Sequence, residues 1–419
     1  MKNKSFRVRK LTLSSLLLLF ILNPYTIYGP LGLAVLPVIF VCFFSKYSRP
    51  SVDLVLICFA LILISMIGVF SSYIHGIGQF LHFKVAASLA MYVLISHALF
   101  FLFLKDGFRF NDFLHCALLI SVLNSLVVIL EVFFPVFRQA VETFLLPSGN
   151  VDWTEGFRYR GIASGGGASL SLLIPVSIVL CLHLYSEKYL GVFSLIAYVF
   201  ILIFSVFFIG RTGLILLPLV IIFYVSFNLK RYLFKTAFSF FVISLFLFFY
   251  FDELKQVLIN QYGASFYHYS LGFLLSGTDG IEGEGTVGIV IEFLSIMPKT
   301  FPEVLIGYGF YGGSEFEPWT DSGYSRMFLS VGYLFGAMFY FLFFLMFRGV
   351  FFYKPFLFTT IGALLLIAEA KEPLLFTGYS ARLYVLVLVL GLLDKKRMKQ
   401  DNIRTRRSAV EVPSAKVAS

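Results

Sequence analysis

The sequence predicts an all-α polytopic integral membrane protein, and three observations support this fold class. Of 419 residues, 59% are hydrophobic and 13% are charged, whereas soluble domains are roughly 45–50% apolar and about 25% charged. The apolar residues fall in long blocks, and about 20 such residues are enough to cross a bilayer. Of the 33 Lys and Arg residues, 23 lie in the two terminal segments or in short connections between the blocks. No soluble basic module of the kind that binds nucleic acid is therefore expected.

Twelve apolar blocks predict about twelve transmembrane helices in a single domain over 1–394. The blocks cover 11–28, 31–45, 52–72, 84–104, 112–134, 166–185, 190–209, 213–228, 236–251, 325–347, 355–370 and 380–393. The basic stretch before the first block is similar to the start of a secretory signal, but no small-residue cleavage site follows it. We therefore interpret the first block as an uncleaved span.

The distribution of basic residues predicts the orientation, because cytoplasmic connections of membrane proteins carry an excess of Lys and Arg. Placing the N-terminus in the cytoplasm makes every predicted cytoplasmic connection short and basic. The segment 395–419 is then a basic cytoplasmic tail, which we expect to be disordered. The sequence thus predicts a multi-pass protein of the inner (cytoplasmic) membrane with both termini in the cytoplasm.

Two long connections, at about 135–165 and 252–324, lie on the opposite, outer face in this arrangement. Long loops are uncommon unless they bind something or cover a site. The second loop contains IVIEFLSIMPKTF, whose apolar spacing predicts an amphipathic helix on the membrane surface. Its glycines around 280–288 and 307–313 suggest a mobile cover. We therefore expect the chemistry of the protein on the outer face.

Ten basic residues fall outside the cytoplasmic set: Lys84, Arg138, Arg158, Arg160, Arg211, Lys255, Lys299, Arg326, Lys371 and Arg382. A single cation at the hydrocarbon edge needs only to snorkel or to meet an anion. Several on one face also fit a phosphate-bearing or diphosphate-bearing lipid, because arginine binds phosphate oxygens in bidentate geometry. The residues that we assign to a candidate diphosphate site are Arg158, Arg160, Arg211, Arg326, Lys371 and Arg382.

Two residues are candidates for moving a proton. Asp321 precedes the helix predicted at 325–347 and could position or deprotonate a sugar hydroxyl, although an acid here could equally cap the helix N-terminus. His268 lies among tyrosines in the outer loop and could act as a base near pH 7, or could simply be a surface histidine. The sequence leaves both alternatives open for each residue.

No motif points to a cofactor or a metal. The run Gly165-Gly166-Gly167 is not followed by the Lys-Ser/Thr pair of a nucleotide-binding loop, and GYGFYGG at 307–313 lacks a βαβ context. The six histidines show no paired ligand spacing. We therefore expect no cofactor and no metal.

Four segments carry motifs of one known family. IGYGFYGGSEFEPWTDSGYSRMFLSVGYLFGAMFYF combines a glycine-rich loop, Asp-x-Gly-Tyr and a helix with spaced glycines. FIGRTGLILL is similar to a Ser-Arg-Thr-Gly helix start, with Gly210 in place of the usual serine, and FRYRGIASGGGASLSLLIP to an outer-loop exit, although glycine follows Arg160 directly. The fourth segment is KEPLLFTGYSARLYVLVLVLGL. Together they resemble bacterial O-antigen and capsule repeat-unit polymerases of the Wzy type.

The resemblance implies a helical fold similar to the integral-membrane (GT-C-like) glycosyltransferases, in the bacterial inner membrane. It implies transfer of a growing glycan from its undecaprenyl diphosphate carrier to a new repeat unit, with inversion and without metal. The implied partners are undecaprenyl-diphosphate-linked donor and acceptor, membrane lipid and a chain-length regulator protein. Arginines would hold the leaving diphosphate, while aromatic rings such as Trp319, Tyr324 and Tyr308 would stack on sugars.

Two other functions remain open at the level of sequence. An O-antigen ligase, which transfers the finished glycan to lipid A-core, would use the same kind of site, and His268 suits the loop histidine that such ligases carry. A lipid-linked oligosaccharide flippase or another transporter would instead place polar groups at mid-membrane, where Glu131 is the main candidate.

Overall fold

The structure, a computed structural model, describes residues 2–38, 52–104, 106–146, 159–228, 256, 259–260, 286–312 and 320–410. The described residues are almost entirely helical. The helices are α1 (Lys2–Leu22), α2 (Val52–Ile74), α3 (Leu81–Leu104), α4 (Phe110–Phe133), α5 (Pro135–Phe144), α6 (Ala168–Ser186), α7 (Val192–Ile209), α8 (Arg211–Asn228), α9 (Thr286–Ser295), α10 (Phe301–Ile306), α11 (Gly323–Phe351), α12 (Pro355–Glu369) and α13 (Gly378–Val410). A two-residue hairpin, β1 (Tyr25–Thr26) with β2 (Gly29–Pro30), and a 3-10 helix at Leu31–Val35 follow α1.

Seven of the described helices are long and apolar enough to cross a membrane: α2, α3, α4, α6, α7, α8 and α11. Helix α12 is apolar but shorter, and the first and last predicted blocks lie within α1 and α13. The block at 31–45 falls partly outside the described residues, and the block at 236–251 falls wholly outside them. The all-α membrane architecture is thus confirmed, and the count of twelve spans remains a prediction.

Helix α6 lies at the centre of the bundle. Of its most apolar stretch, 83% is buried inside the protein, and it packs against α4, α7, α12 and α13. Small residues permit the close approach of α8, since a Cβ atom on Gly213 would lie 2.2 Å from the Ser171 carbonyl oxygen. Small residues at such contacts are how membrane helices gain packing without a hydrophobic driving force.

The helix ends fall into two groups at opposite ends of the bundle. Contacts that connect the first group are Arg9–Asp106, Tyr189–Asp112, Lys354–Glu187 and Tyr353–Asp394. Contacts at the opposite end include Arg382–Phe20, Ser71–Gly307, Arg160–Leu146 and Lys371–Thr212. The first group holds the segments predicted to be cytoplasmic and the second those predicted to face outward, so the predicted alternation of helix directions agrees with the packing.

The C-terminal segment corrects one expectation. Helix α13 continues through Val410, so most of the region that we expected to be a disordered tail is helical. Lys, Arg, Met and Gln, which are good helix formers, dominate this stretch, and Arg397 pairs with Asp401 one turn later. Residues 411–419 lie outside the described part of the chain.

Candidate functional site

A break in α11 shapes the end of the bundle that is predicted to face outward. Gly332 has φ 77° and ψ 173° inside the helix, and a Cβ atom there would lie 2.5 Å from the Leu305 carbonyl oxygen. The break exposes carbonyls that an unbroken helix would use internally. Leu329 and Ser330 instead accept hydrogen bonds from the backbone N–H groups of Tyr308 (2.6 Å) and Gly309 (3.0 Å). The glycine-rich segment at 307–312 thereby becomes part of the helix packing.

The same segment is held by α2 on its other side. Ser71 donates its hydroxyl to the Gly307 carbonyl at 2.6 Å, and a Cβ atom on Gly309 would lie 2.0 Å from the Ser72 backbone nitrogen. Gly309 also has φ +74°, a conformation in which any other residue would be strained. The expectation of a mobile cover is therefore wrong for 307–312, which is clamped between α2 and α11.

This clamp positions Arg326 in the first turn of α11. The Arg326 guanidinium donates to the Thr320 carbonyl at 2.8 Å and to the Asp321 carboxylate at 2.7 Å. A Cβ atom on Gly312 would lie 2.8 Å from its Nη1 atom, so glycine is what allows the guanidinium to lie there. Asp321 is therefore an ion-pair partner of Arg326.

The capping alternative for Asp321 is not what the structure shows. The N-cap of α11 is Ser322, whose side chain accepts from the Ser325 backbone N–H. Serine serves as well as aspartate at this position. The Asp321 carboxylate is left half-buried, with 39% of its side chain exposed, and is thus accessible to a bound molecule.

Arg326 opens onto a cleft of about 440 Å³ that we call the cationic cleft. Its lining residues are Leu81, Lys84, Val85, Ser88, Tyr92, Tyr311, Gly312, Arg326, Pro373, Thr377 and Arg382. The three cations come from three different helices: Lys84 from α3, Arg326 from α11 and Arg382 from α13. The cleft therefore brings Lys84 together with two arginines that lie more than 200 positions later in the sequence.

The electrostatics of the cleft favour an anion. None of the described lining residues carries a carboxylate. Of two nearby acids, Asp321 pairs with Arg326, and Glu369 is fully buried and interacts electrostatically with Arg326. The Arg382 guanidinium makes two contacts at the long limit of hydrogen bonding, 3.4 Å to the Tyr92 hydroxyl and 3.4 Å to the Phe20 carbonyl. A concave surface lined by one sign of charge concentrates ligands of the other sign, so this site suits a phosphate-bearing molecule.

Tyr311 supplies an aromatic ring to the wall of the cleft. Its side chain is only 4% exposed and stacks on the His82 ring at 5.1 Å. Its hydroxyl is buried and has no hydrogen-bond partner among the described residues. A buried unpaired hydroxyl costs about 1–3 kcal/mol of stability.

The other predicted cations lie elsewhere at the same end of the bundle. Arg160 is 4% exposed and donates to the backbone carbonyls of Leu145, Leu146 and Ala163, so it holds the chain after α5 in place. Lys371 donates to the Thr212 hydroxyl at 2.9 Å, which brings it beside Arg211 at the start of α8. None of these three lines the cationic cleft. Arg158 lies outside the described residues.

Two of the predicted aromatic residues, Tyr324 and Tyr308, do not line the cleft. Tyr324 donates its hydroxyl to the Leu366 carbonyl at 2.8 Å. Tyr308 binds Glu303, and burial together with this hydrogen bond raises the pKa of Tyr308 to about 12. The tyrosines that do line the cleft are Tyr92 and Tyr311. Trp319 and His268 lie outside the described residues.

Glu303 anchors the short helix α10 below the clamp. It accepts hydrogen bonds from the backbone N–H groups of Thr300 (2.9 Å) and Lys299 (3.1 Å) as well as from Tyr308. Burial alone raises the pKa of Glu303, but these hydrogen bonds outweigh it and lower the pKa to about 2. The ionised carboxylate is therefore the form that the fold stabilises.

Replacing Glu303 by Gln should remove a pH-dependent part of the stability. Because the pKa in the folded state lies below the ordinary 4.5, the contribution is present above pH 4.5 and is lost as the pH falls towards 2. Thermal unfolding should show the wild type more stable than Glu303→Gln at pH 7, with the difference shrinking below pH 4.5. Glu292→Gln, at an exposed position on α9, is the control. A stability difference between the wild type and Glu303→Gln that does not change with pH would contradict this role.

Sequence reasoning missed two parts of the site. Lys84 is recognisable among the outward basic residues, but nothing in the sequence distinguishes it from a snorkelling lysine. Tyr92 lies inside an apolar helix, and no sequence pattern marks it as a site residue.

No family model matches this chain, and comparisons with curated proteins and with solved structures give no match.

Proposed function

We propose that this protein is a polymerase that joins undecaprenyl-diphosphate-linked oligosaccharide repeat units into O-antigen, capsule or exopolysaccharide on the outer face of the membrane. The cationic cleft is the observation that carries the proposal. It combines three cations, hydroxyl groups and tyrosine rings at the bundle end predicted to face outward. A diphosphate bonded to a sugar needs all three kinds of contact.

The proposed reaction is an inverting glycosyl transfer. A hydroxyl of the acceptor sugar attacks the anomeric carbon of the donor, and the bond from that carbon to the diphosphate oxygen breaks on the opposite face. Negative charge develops on the departing diphosphate oxygen. Lys84, Arg326 and Arg382 stabilise this charge, and Arg326 is already held in place by Thr320 and Asp321 before the reaction begins.

The acceptor proton requires a base near the cations. Asp321 is the described residue that best fits, since its carboxylate lies 2.7 Å from the Arg326 guanidinium and remains partly exposed. In this role it accepts the proton as the new glycosidic bond forms. His268 is the other candidate for the base.

Gel analysis of surface polysaccharide tests the proposal. A chromosomal deletion would be complemented with the wild type, Asp321→Ala or His268→Ala. Loss of the long ladder with survival of a core-plus-one-unit band is the result expected of a polymerase. Loss of all glycan-bearing bands, with lipid-linked polymer accumulating outside, would indicate a ligase. An unchanged ladder in the deletion strain would contradict a role in glycan assembly and favour transport.

Tyr311→Phe should show that the buried hydroxyl of Tyr311 is a cost to folding. The variant removes the unpaired hydroxyl and keeps the ring that stacks on His82. We expect the unfolding temperature to rise, because an unpaired buried hydroxyl costs about 1–3 kcal/mol, and polymerisation to persist because the ring in the cleft wall is kept. Tyr353→Phe, which removes a hydroxyl paired with Asp394, is the control and should lower the unfolding temperature. A lower unfolding temperature in Tyr311→Phe would contradict this account of the hydroxyl.

A further inference from the structure

A second charged cleft lies at the opposite end of the bundle, among α2, α11 and α13. It has a volume of about 480 Å³, and its charged lining residues are Asp53, Arg348 and Lys396. The rest of its lining is apolar and includes Leu56, Ile57 and Met346. This combination of a basic rim and an apolar floor differs from the cationic cleft, where hydroxyl groups accompany the charges.

The two cations of this second cleft are available to a ligand. Arg348 and Lys396 are both exposed, and neither forms an ion pair with a carboxylate among the described residues. The neighbouring Lys395 is different, because it donates to the Gly349 carbonyl at 2.6 Å. Asp53 is the single acid in the lining, so the rim carries an excess of positive charge.

An apolar groove continues from the second cleft along α2. It has a volume of about 220 Å³, lies between α2 and α3, and shares Leu54 with the cleft. Cys58, Phe59 and Ile62 extend it along α2. From Leu54 to Ile62 the helix rises roughly 12 Å at about 1.5 Å per residue. A groove of this length can contact a substantial part of an acyl chain.

We propose that this second cleft and its groove form a binding site for an anionic phospholipid. The headgroup phosphate lies between Arg348 and Lys396, and one acyl chain follows the groove past Leu54 to Ile62. Basic pockets between helices at the cytoplasmic side of a membrane protein attract anionic headgroups. A free phosphate would use the rim alone and leave the apolar groove unexplained. This site is independent of the glycan chemistry proposed for the other end.

The test uses the purified full-length protein in a neutral detergent. Long-chain phosphatidylglycerol, phosphatidylcholine and soluble glycerol 3-phosphate are each added, and thermal unfolding is followed together with lipid retention in native mass spectrometry. We expect phosphatidylglycerol to raise the unfolding temperature by about 3 °C more than phosphatidylcholine. Arg348→Gln combined with Lys396→Gln should abolish this selectivity.

Two control variants make the result decisive. Lys399→Gln removes an exposed cation of α13 that does not line the cleft, and it should leave the selectivity intact. Arg348→Lys combined with Lys396→Arg keeps the charges and should also retain it. The proposal is overturned if the wild type shows no preference for phosphatidylglycerol, if glycerol 3-phosphate reproduces the shift, or if the double Gln variant keeps it. Loss of glycan polymerisation activity has no bearing on these outcomes.

Discussion

Arg326→Ala is expected to reduce glycan polymerisation by about 10²–10³-fold, the effect of removing one fixed donor from a site where charge develops. Arg326 is held by the Thr320 carbonyl and the Asp321 carboxylate, and it lines the cationic cleft beside Lys84 and Arg382. In the proposed reaction it would therefore meet the leaving diphosphate without having to reorganise. The measurement is the rate of polymer formation from purified lipid-linked repeat units.

The charge and the geometry of Arg326 can be tested separately. Arg326→Lys keeps the charge but loses bidentate binding, so its rate should fall between those of the wild type and the Ala variant. Arg397→Ala is the matched control, because Arg397 also pairs with an aspartate, Asp401, but on the far part of α13. If Arg326→Ala and Arg397→Ala have the same rate, the cationic cleft is not the reaction site.

Gly309→Ala should destabilise the protein by about 2–5 kcal/mol. This is the sum of the cost of a left-handed backbone conformation for alanine and the cost of overpacking. The added Cβ atom would lie 2.0 Å from the Ser72 backbone nitrogen, and backbone atoms cannot move aside as a flexible side chain can. The clamp between α2 and α11 would have to open. We expect a large fall in the unfolding temperature in detergent and a low yield of folded protein.

Gly76 offers a control with nearly the same backbone. Its φ is +72° compared with +74° at Gly309, but a Cβ atom there meets nothing within 4 Å. Gly76→Ala should therefore destabilise the protein only through the left-handed backbone conformation, by about 1–2 kcal/mol. Equal losses in the two variants would mean that the contact with Ser72 has no role and that the 307–312 segment is not clamped.

Sequence patterns predicted the features of the fold that depend on composition and period. Blocks such as 52–72 and 112–134 became α2 and α4 because long apolar helices satisfy their own backbone hydrogen bonds in a bilayer. The basic residues predicted which helix ends lie together, because cytoplasmic connections of membrane proteins carry an excess of Lys and Arg. The helical tail escaped prediction because its polar composition is typical of a disordered segment as well as of an exposed helix.

The site was predicted only in part, because its geometry depends on tertiary packing. Arg326 and Arg382 were identified as outward cations and do meet in one cleft. Arg160 has the same sequence signature, yet its guanidinium is used by backbone carbonyls. The break at Gly332 could not be foreseen either, since a glycine within an apolar helix more often marks close packing. Which cations converge is decided by that break and by the loop that fills it.

Binding of a soluble lipid diphosphate to the purified protein tests the central claim most directly. Farnesyl diphosphate would be titrated into the wild type and into a variant with Lys84→Gln, Arg326→Gln and Arg382→Gln, once equal unfolding temperatures show that both are folded. We predict saturable, salt-sensitive binding to the wild type that the triple variant loses, with farnesol binding neither protein in a saturable way. Equal affinity of the two proteins for the diphosphate would contradict a diphosphate site in the cationic cleft.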